Sequence, residues 1–265
     1  MSAVKIGLIG IGTIGMFLLE TFNKNQLLPG YRVESVYDSR EKSVETLQQL
    51  STTYALSSFT KLESFLESDV DIIIECAGIQ VVTQYATRIV TKKDLLITSV
   101  GALVDIELYN ELRTTSALNN RKVYLPSGAI GGLDIIKAAK VAGGLDEVAL
   151  VTRKPLAALL NESLTRETIL FEGTAKEAIE RYPKNMNVAI TLSLAGIGVE
   201  KTKVKIIADP SVEKNIHSIR ARGAFGEMEM KIENNPSPSN PQTSYLTALS
   251  ILSSLKSLNE EICIG

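Results

Sequence analysis

Three glycines near the start of the chain have the spacing that holds a dinucleotide. Gly10, Gly12 and Gly15 form G-x-G-x-x-G, with Thr13 and Ile14 before the third glycine. The first glycine of such a motif makes a tight turn, the second lets the backbone approach a pyrophosphate, and the third lets a helix pack closely on a strand. The phosphates then lie at the helix N-terminus, where backbone N–H groups favour negative charge. The spacing therefore predicts nucleotide contacts by all five residues.

An acidic residue follows at the distance that this motif requires. Asp38 comes directly after a second apolar segment, 32–37. A carboxylate at that place accepts hydrogen bonds from ribose hydroxyls and would repel a 2′-phosphate, so Asp38 favours NAD. Arg40 stands two residues on and could bind such a phosphate, or it could be a solvated surface charge. Use of NADP therefore stays open.

Small residues follow two further predicted strands. Ligands of open α/β sheets lie beyond the carboxyl ends of the strands, where small side chains let a cofactor approach the backbone. Plain turns are the alternative interpretation of these segments. The residues predicted to contact the cofactor there are Cys76, Ala77, Gly78 and Ser99.

If the bound dinucleotide takes part in hydride transfer with an alcohol or amine, a side chain must also accept and return a proton. His217 is the single histidine of the chain, and an imidazole exchanges protons near neutral pH without a large pKa shift. A lysine could also serve as the acid or base, and an exposed histidine on a strand is the structural alternative. His217 is therefore a candidate catalytic residue.

Two further segments could hold polar groups of a ligand. The loop 126–132 precedes a predicted helix, so its amides could bind an anion at the helix N-terminus, or it could be only a flexible linker. Asn187 lies at the start of another predicted helix. Its amide suits a nicotinamide carboxamide, although helix capping is the commonest use of asparagine at such a place.

The elements that must position these residues fall into two patterns. The first half alternates strands and helices, which predicts a parallel, doubly wound sheet, a Rossmann dinucleotide-binding domain over residues 1–126. The predicted strands are 4–9, 32–37, 71–76, 95–100 and 122–126, and the predicted helices run from 13 to 23, 41–50, 61–68, 81–91 and 105–119.

The second half predicts a smaller α+β domain, 127–240, with an open mixed or antiparallel sheet. Its predicted helices are 133–141, 175–182 and 188–195. Its predicted strands are 147–152, 168–172, 201–208, 216–221 and 227–233, the last three read as antiparallel. Residues 236–241 predict a rigid connector, and 245–258 a final helix. A stripe of Leu246, Leu249, Leu252, Leu255 and Leu258 predicts that the segment 241–265 packs back on the first domain.

Composition excludes several classes of protein. A net charge of −2 over 265 residues predicts no surface for nucleic acid, and no apolar run is long enough for a membrane span. Cys76 and Cys263 have no metal-ligand spacing and are too few for a disulfide framework, so no metal site is expected. The strand that begins at Val4 leaves no room for a signal peptide, and a cytoplasmic location is expected.

Six sequence blocks resemble the L-aspartate dehydrogenase family. They occur in the family's order and span both predicted domains: P-S-G-A-I-G-G-L-D at 126–134, F-E-G at 171–173, N-M-N-V-A at 185–189, A-D-P at 208–210, N-I-H at 215–217 and P-S-P-S-N-P-Q-T-S at 236–244. The resemblance implies NAD(P)-dependent oxidation of L-aspartate to iminoaspartate, which hydrolyses to oxaloacetate and ammonia or feeds NAD biosynthesis. It implies that His217 is catalytic, that Ala129 and Asn187 contact the cofactor, and that the protein is a homodimer.

Under this interpretation, L-aspartate binds in a cleft between the domains, and its two carboxylates need cationic or amide partners. Lys154 is one candidate, although a surface lysine is an equal alternative, and the amides of Ser127, Gly128 and Ala129 are another. A quinolinate-forming enzyme could receive the product. The remaining alternatives are an oxidoreductase like homoserine dehydrogenase or dihydrodipicolinate reductase, and a non-catalytic regulator that senses NAD(H).

Overall fold

The structure is a computed structural model that describes residues 3–40, 44–155, 166–183, 186–238, 240–258 and 260–262. Cys263 and the first three residues of the helix predicted at 41–50 lie outside these ranges. Contacts divide the chain into two compact units, 1–126 and 127–265. No helix in the described ranges is long and apolar enough to cross a bilayer.

The first unit contains a six-stranded parallel sheet of the Rossmann type, as predicted, in the order β3-β2-β1-β4-β5-β6. Its strands are β1 (Val4–Ile9), β2 (Tyr31–Tyr37), β3 (Ser57–Phe59), β4 (Ile72–Glu75), β5 (Asp94–Ile97) and β6 (Val123–Tyr124). Its helices are α1 (Thr13–Leu19), α2 (Val44–Tyr54), α3 (Leu62–Leu66), α4 (Ile79–Ile89) and α5 (Ile106–Leu118). A π-helical turn, Glu20–Lys24, extends α1, and a 3-10 helix, Val100–Val104, follows β5.

The central strands of this sheet are buried on both faces, as parallel strands require. Leu8, Ile73, Ile74 and Leu96 are completely buried. The strand predicted at 95–100 ends at Ile97, because Val100–Val104 forms the 3-10 helix instead. The sheet therefore presents the ends of β1, β2, β4 and β5 at one edge.

The second unit contains a five-stranded mixed sheet in the order β11-β10-β7-β9-β8. Its strands are β7 (Leu145–Lys154), β8 (Thr168–Thr174), β9 (Lys203–Ala208), β10 (Asn215–Gly223) and β11 (Gly226–Asn234), and its helices are α6 (Leu133–Val141), α7 (Ala175–Arg181) and α8 (Asn187–Ala195). The antiparallel interpretation of 201–208 is wrong in part, since β9 pairs parallel with β7 and antiparallel with β8. Alternating burial reports which face a residue takes, not the direction of the neighbouring strand.

The C-terminal segment differs from its prediction. The expected connector at 236–241 is an antiparallel hairpin of β12 (Pro236–Ser237) and β13 (Asn240–Ser244), where Pro236 lies in a two-stranded edge pairing that proline tolerates. Helix α9 (Tyr245–Lys256) follows and contacts this hairpin. The predicted leucine stripe is confirmed at Leu255, which is buried, and wrong at Leu249, which is 37% exposed. Leu246, Leu252 and Leu258 are half-buried, and Ala248 and Ile251 complete the buried face of the helix. The return of the segment 241–265 to the first domain stays a prediction.

Candidate active site

The glycine turn between β1 and α1 has space for a side chain or ligand beside only one of its three glycines. Gly10 has φ of +90°, and a Cβ on it would lie 2.8 Å from the Cβ of Ala77. A Cβ on Gly15 would lie 2.1 Å from the carbonyl oxygen of Gly10. A Cβ on Gly12 would meet nothing within 4 Å. The turn is therefore packed against protein at its first and third glycines and open at the second, which is the side that a pyrophosphate needs.

A pocket of about 350 Å³ lies beside this turn in the first unit. Its lining includes Gly10, Gly12, Asp38, Cys76 and Ala77, so it gathers five of the predicted cofactor contacts. The predicted contacts that do not line it are Thr13, Ile14, Gly15, Gly78 and Ser99 of the first unit and Ala129 and Asn187 of the second. Thr13 and Ile14 are the first residues of α1, and Gly78 is the N-cap of α4.

Asp38 and Arg40 form a pair at the end of β2. Asp38 is 5% exposed, and its Oδ1 accepts hydrogen bonds from the backbone N of Arg40 at 3.0 Å and from its Nε at 2.9 Å. A terminal guanidinium nitrogen of Arg40 donates to Oδ2 at 2.5 Å. These hydrogen bonds raise the pKa of Arg40 above its ordinary value. Two residues that the sequence suggested separately therefore act as one unit at the pocket.

A residue that sequence reasoning missed lies at the end of β4. Glu75 is 1% exposed, and its Oε1 accepts hydrogen bonds from the backbone N of Ala77 and Gly78, both at 2.7 Å. Ser99 donates to Oε1 from its hydroxyl at 2.9 Å and to Oε2 from its backbone N at 3.0 Å. Burial raises the pKa of Glu75, and these hydrogen bonds oppose the rise. The available signal was an acidic residue that ends an otherwise apolar run, D-I-I-I-E-C.

In the second unit, His217 and Lys154 lie on the buried face of the sheet. They are 4% and 7% exposed. The alternatives that the sequence left open, an exposed histidine on a strand and a surface lysine, are therefore wrong. His217 pairs with Thr152 across β10 and β7, and the hydroxyl of Thr152 lies 3.1 Å from Nδ1 of His217. Lys154 follows Thr152 by two residues and takes the same face of β7.

Burial sets the protonation of both groups. It lowers the pKa of Lys154 from 10.5 to about 8, so the ammonium is mostly protonated at neutral pH. Burial first, and then the charge of Lys154, lowers the pKa of His217 to about 4. His217 is therefore neutral at pH 7 and has a nitrogen available to accept a proton, beside a cation that can attract an anion.

The loop before α6 is held from two distant parts of the second unit. The side-chain amide of Asn234 donates to the carbonyl oxygen of Ala129 at 3.1 Å, and the backbone N of Gly128 donates to the hydroxyl of Ser250 at 3.1 Å. Ala129 is 4% exposed, whereas Ser127 is half-buried. Asn234 was not predicted, and its buried Oδ1 has no hydrogen-bond partner among the described atoms. The loop is thus ordered rather than a flexible linker.

Two other predicted segments have local roles that the structure defines. Asn187 is the first residue of α8 and half-buried, and Met186 takes the N-cap position without a side-chain cap, so Asn187 is not the cap. Asp209 of the A-D-P block accepts hydrogen bonds from the backbone N and hydroxyl of Ser211 at 2.8 and 2.6 Å. Arg153 forms an ion pair with the same carboxylate. Asp209 therefore braces the turn after β9.

Comparisons of the sequence find one family in each unit and full-length relatives. Residues 10–126 match the family described as homoserine dehydrogenase, NAD binding domain, and residues 134–258 match aspartate dehydrogenase, C-terminal. The chain is 40% identical to L-aspartate dehydrogenase of Methanosarcina barkeri over 99% of both chains. It is 37% identical to L-aspartate dehydrogenase of Archaeoglobus fulgidus over 98% of this chain and 99% of the relative.

Solved structures give the same result. The structure of aspartate dehydrogenase from Thermotoga maritima matches with a TM-score of 0.81 and 32% identity over 99% of both chains. Scyllo-inositol dehydrogenase from Lactobacillus casei with bound NAD(H) matches with a TM-score of 0.58 and 11% identity, which reports a shared fold alone.

Proposed function

The chain belongs to the L-aspartate dehydrogenase family, and from that premise we propose that it oxidises L-aspartate to iminoaspartate with a nicotinamide dinucleotide, with His217 as the proton acceptor. The observation that carries the proposal is the buried group of His217, Thr152 and Lys154 in the second unit. It supplies a neutral base and a cation on one face of a sheet, which an amino acid with two carboxylates requires.

The first unit fits the cofactor. The open side of Gly12 leaves space for the pyrophosphate at the N-terminus of α1, and Asp38 ends the strand that carries the ribose contact in this fold. When bound, the nicotinamide ring supplies the hydride acceptor. We assign Thr13, Ile14, Gly78, Ser99, Ala129 and Asn187 to the cofactor contacts as part of the same proposal.

His217 acts on the substrate amine. Hydride can leave Cα only when the amine is neutral, because its lone pair forms the new C=N bond. For Nε2 of His217 to accept the proton, Nδ1 must carry the ring hydrogen and donate it to the Thr152 hydroxyl at 3.1 Å. The Thr152 hydroxyl can accept that hydrogen bond, and the ring then keeps Nε2 as its basic nitrogen. His217 can return the proton to water or use it in hydrolysis of the imine.

Lys154 binds one carboxylate of aspartate, and the amide of Ser127 offers a donor for the other, whereas the amide of Gly128 already donates to the hydroxyl of Ser250. A bound carboxylate neutralises the charge of Lys154, which is one of the two causes that lower the pKa of His217 to about 4. Substrate binding therefore raises the basicity of His217 toward the working pH, where a general base is most effective.

The test is the absorbance of reduced nicotinamide with purified protein, L-aspartate and NAD or NADP, with L-homoserine and L-glutamate as controls. Reduction with aspartate alone supports the proposal. Reduction with homoserine, or NADH binding without any turnover, contradicts it. Neither the NAD(H) sensor nor an enzyme like homoserine dehydrogenase or dihydrodipicolinate reductase is favoured, because the full-length relatives are L-aspartate dehydrogenases.

Cofactor choice depends on Arg40. Among the described residues that line the pocket of the first unit, Arg40 is the only lysine or arginine. Its guanidinium is held by Asp38 but its side chain is 65% exposed, so it can turn toward a 2′-phosphate while Asp38 accepts the 2′-hydroxyl of NAD. The proposal is that NAD is preferred and NADP is also used.

Arg40→Ala is expected to raise the KM for NADP about tenfold and to leave the KM for NAD within about twofold, because only the 2′-phosphate needs the cation. Steady-state rates with both cofactors measure this. The matched control is Arg32→Ala, which removes an exposed arginine of β2 that pairs with Glu34. Equal changes with NAD and NADP would refute the role of Arg40.

The assembly and the fate of the product complete the proposal. The outer face of the second sheet carries Val151 and Ile216, both half-buried, and Ile169, which is 53% exposed. A homodimer through this face would cover them, and light scattering would then give twice the chain mass of 28.8 kDa. Iminoaspartate hydrolyses in water, so a quinolinate-forming enzyme of cytoplasmic NAD biosynthesis would have to receive it promptly.

A further inference from the structure

Glu75 is a buried carboxylate at the ligand edge of the first sheet. The side chain is 1% exposed and lies at the carboxyl end of β4, level with Ile9 of β1 and Ile97 of β5. Burying a carboxylate is costly unless hydrogen bonds or a cation compensate. Among the described residues no lysine, arginine or histidine forms an ion pair with it, so its compensation comes from hydrogen bonds alone.

Within the part of the chain that the structure describes, the groups that hydrogen-bond to the Glu75 carboxylate are N–H and O–H donors. The backbone N–H groups of Ala77, Gly78 and Ser99 and the hydroxyl of Ser99 all point at its two oxygens, at 2.7 to 3.0 Å. Such a set stabilises the ionised form. One negative charge therefore joins the loop after β4 to the loop after β5. The charge also contributes, after burial, to raising the pKa of the neighbouring Cys76 thiol.

The position of Glu75 relates it to one half of the cofactor. The strand order reverses beside β1, and a dinucleotide lies across the strand ends at that point. Asp38 at the end of β2 takes the adenosine ribose on one side of β1. The nicotinamide half must then extend to the other side, over the ends of β4 and β5, where Glu75 and the Ser99 loop lie.

We infer that Glu75 is a positioning residue that shapes the two loops under the nicotinamide half and whose charge favours the oxidised ring over the reduced ring. The oxidised nicotinamide carries a positive charge and the reduced one is neutral, so a fixed carboxylate stabilises the first more than the second. This inference rests on the proposed function, since it requires a nicotinamide cofactor. It makes Glu75 a determinant of relative NAD⁺ and NADH affinity.

The experiment measures the Kd of NADH by fluorescence and the Kd of NAD⁺ by displacement, in the wild-type protein and in Glu75→Gln. The substitution keeps the shape of the side chain and removes its charge. We expect the ratio of the NAD⁺ Kd to the NADH Kd to rise about tenfold, as the loss of one charge at a partly buried site predicts. An unchanged ratio overturns the inference.

Ser99→Ala is the matched control, because it removes one hydrogen bond from the carboxylate and leaves the charge. Its ratio is expected to stay within about twofold of wild type, while both Kd values change together. A shift in Ser99→Ala equal to that in Glu75→Gln would mean that loop structure, not charge, sets the ratio, and would overturn the inference. If Glu75→Gln does not fold, Glu75→Asp replaces it as the test, because it retains the charge. An unchanged ratio of the two Kd values then supports the inference, and a changed ratio overturns it. Wild-type protein that binds neither form of the cofactor would instead refute the proposed function.

Discussion

Replacing His217 by asparagine is expected to lower kcat for aspartate oxidation about a thousandfold, within the range that a general base contributes. Asparagine retains a polar group near the Thr152 hydroxyl, which lies 3.1 Å from Nδ1 of the histidine, but it has no proton acceptor near neutral pH. NADH affinity is expected to stay at the wild-type level, because the glycine turn and Asp38 are unchanged. Single-turnover rates together with NADH titration measure both.

Thr152→Val is expected to lower kcat less than His217→Asn does. It removes the hydroxyl that hydrogen-bonds to Nδ1 and orients the ring, and it keeps the imidazole, so we expect kcat to fall about tenfold rather than a thousandfold. A His217→Asn protein that turns over within about threefold of wild type, with a normal melting curve, would remove the histidine from the mechanism. Loss of NADH binding in that variant would point to a structural role instead.

Replacing Lys154 by methionine is expected to raise the KM for aspartate about a hundredfold, because a buried carboxylate would lose its cation. The same change removes one cause of the low pKa of His217, so the acid limb of the kcat/KM profile should move to higher pH. Lys154→Arg keeps the charge with a different geometry, so its KM for aspartate should lie between those of the wild type and Lys154→Met. Unchanged KM in Lys154→Met would exclude the carboxylate contact.

The same variant has a predicted effect on stability. The pKa of Lys154 is about 8 in the folded protein and 10.5 ordinarily, so between these values the unfolded chain binds a proton that the folded chain does not. The free energy of unfolding of the wild type should therefore rise with pH across this window, and Lys154→Met should lack that rise. Urea unfolding at pH 7.5 and pH 9.5 tests this independently of catalysis.

The sequence predicts those parts of the fold in which the hydrophobic periodicity and the residues that end helices and strands agree. β1 and α6 match their predicted bounds. In each case a glycine next to the apolar segment, Gly10 after β1 and Gly132 before α6, marks where the element ends or begins. The strand predicted at 95–100 extends three residues too far, because a short buried apolar run is equally compatible with a strand and with the 3-10 helix observed at Val100–Val104. The hairpin at β12 and β13 was missed because its prolines and serines carry no strand pattern.

The candidate site divides in the same manner. Gly10, Asp38 and His217 are visible because their chemistry depends on residue type and short spacing. Glu75 and Asn234 are not, because each acts through backbone groups of residues 24 and 105 positions away in the chain. Such partners are set by strand order and by tertiary contacts, which no local pattern encodes. Sequence reasoning therefore identifies reactive groups more readily than the groups that hold them.

The loop that contains Gly128 and Ala129 has a further property, which concerns synthesis on the ribosome. Its two hydrogen-bond partners outside the loop, Asn234 and Ser250, are translated 105 and 122 residues later. Contacts at such separations form late, because closing a long loop has an entropic cost before the contact is gained. All residues of the first unit, 1–126, are thus synthesised long before this loop can be fixed. Under the proposed function, the substrate site is therefore complete only after α9 has left the exit tunnel.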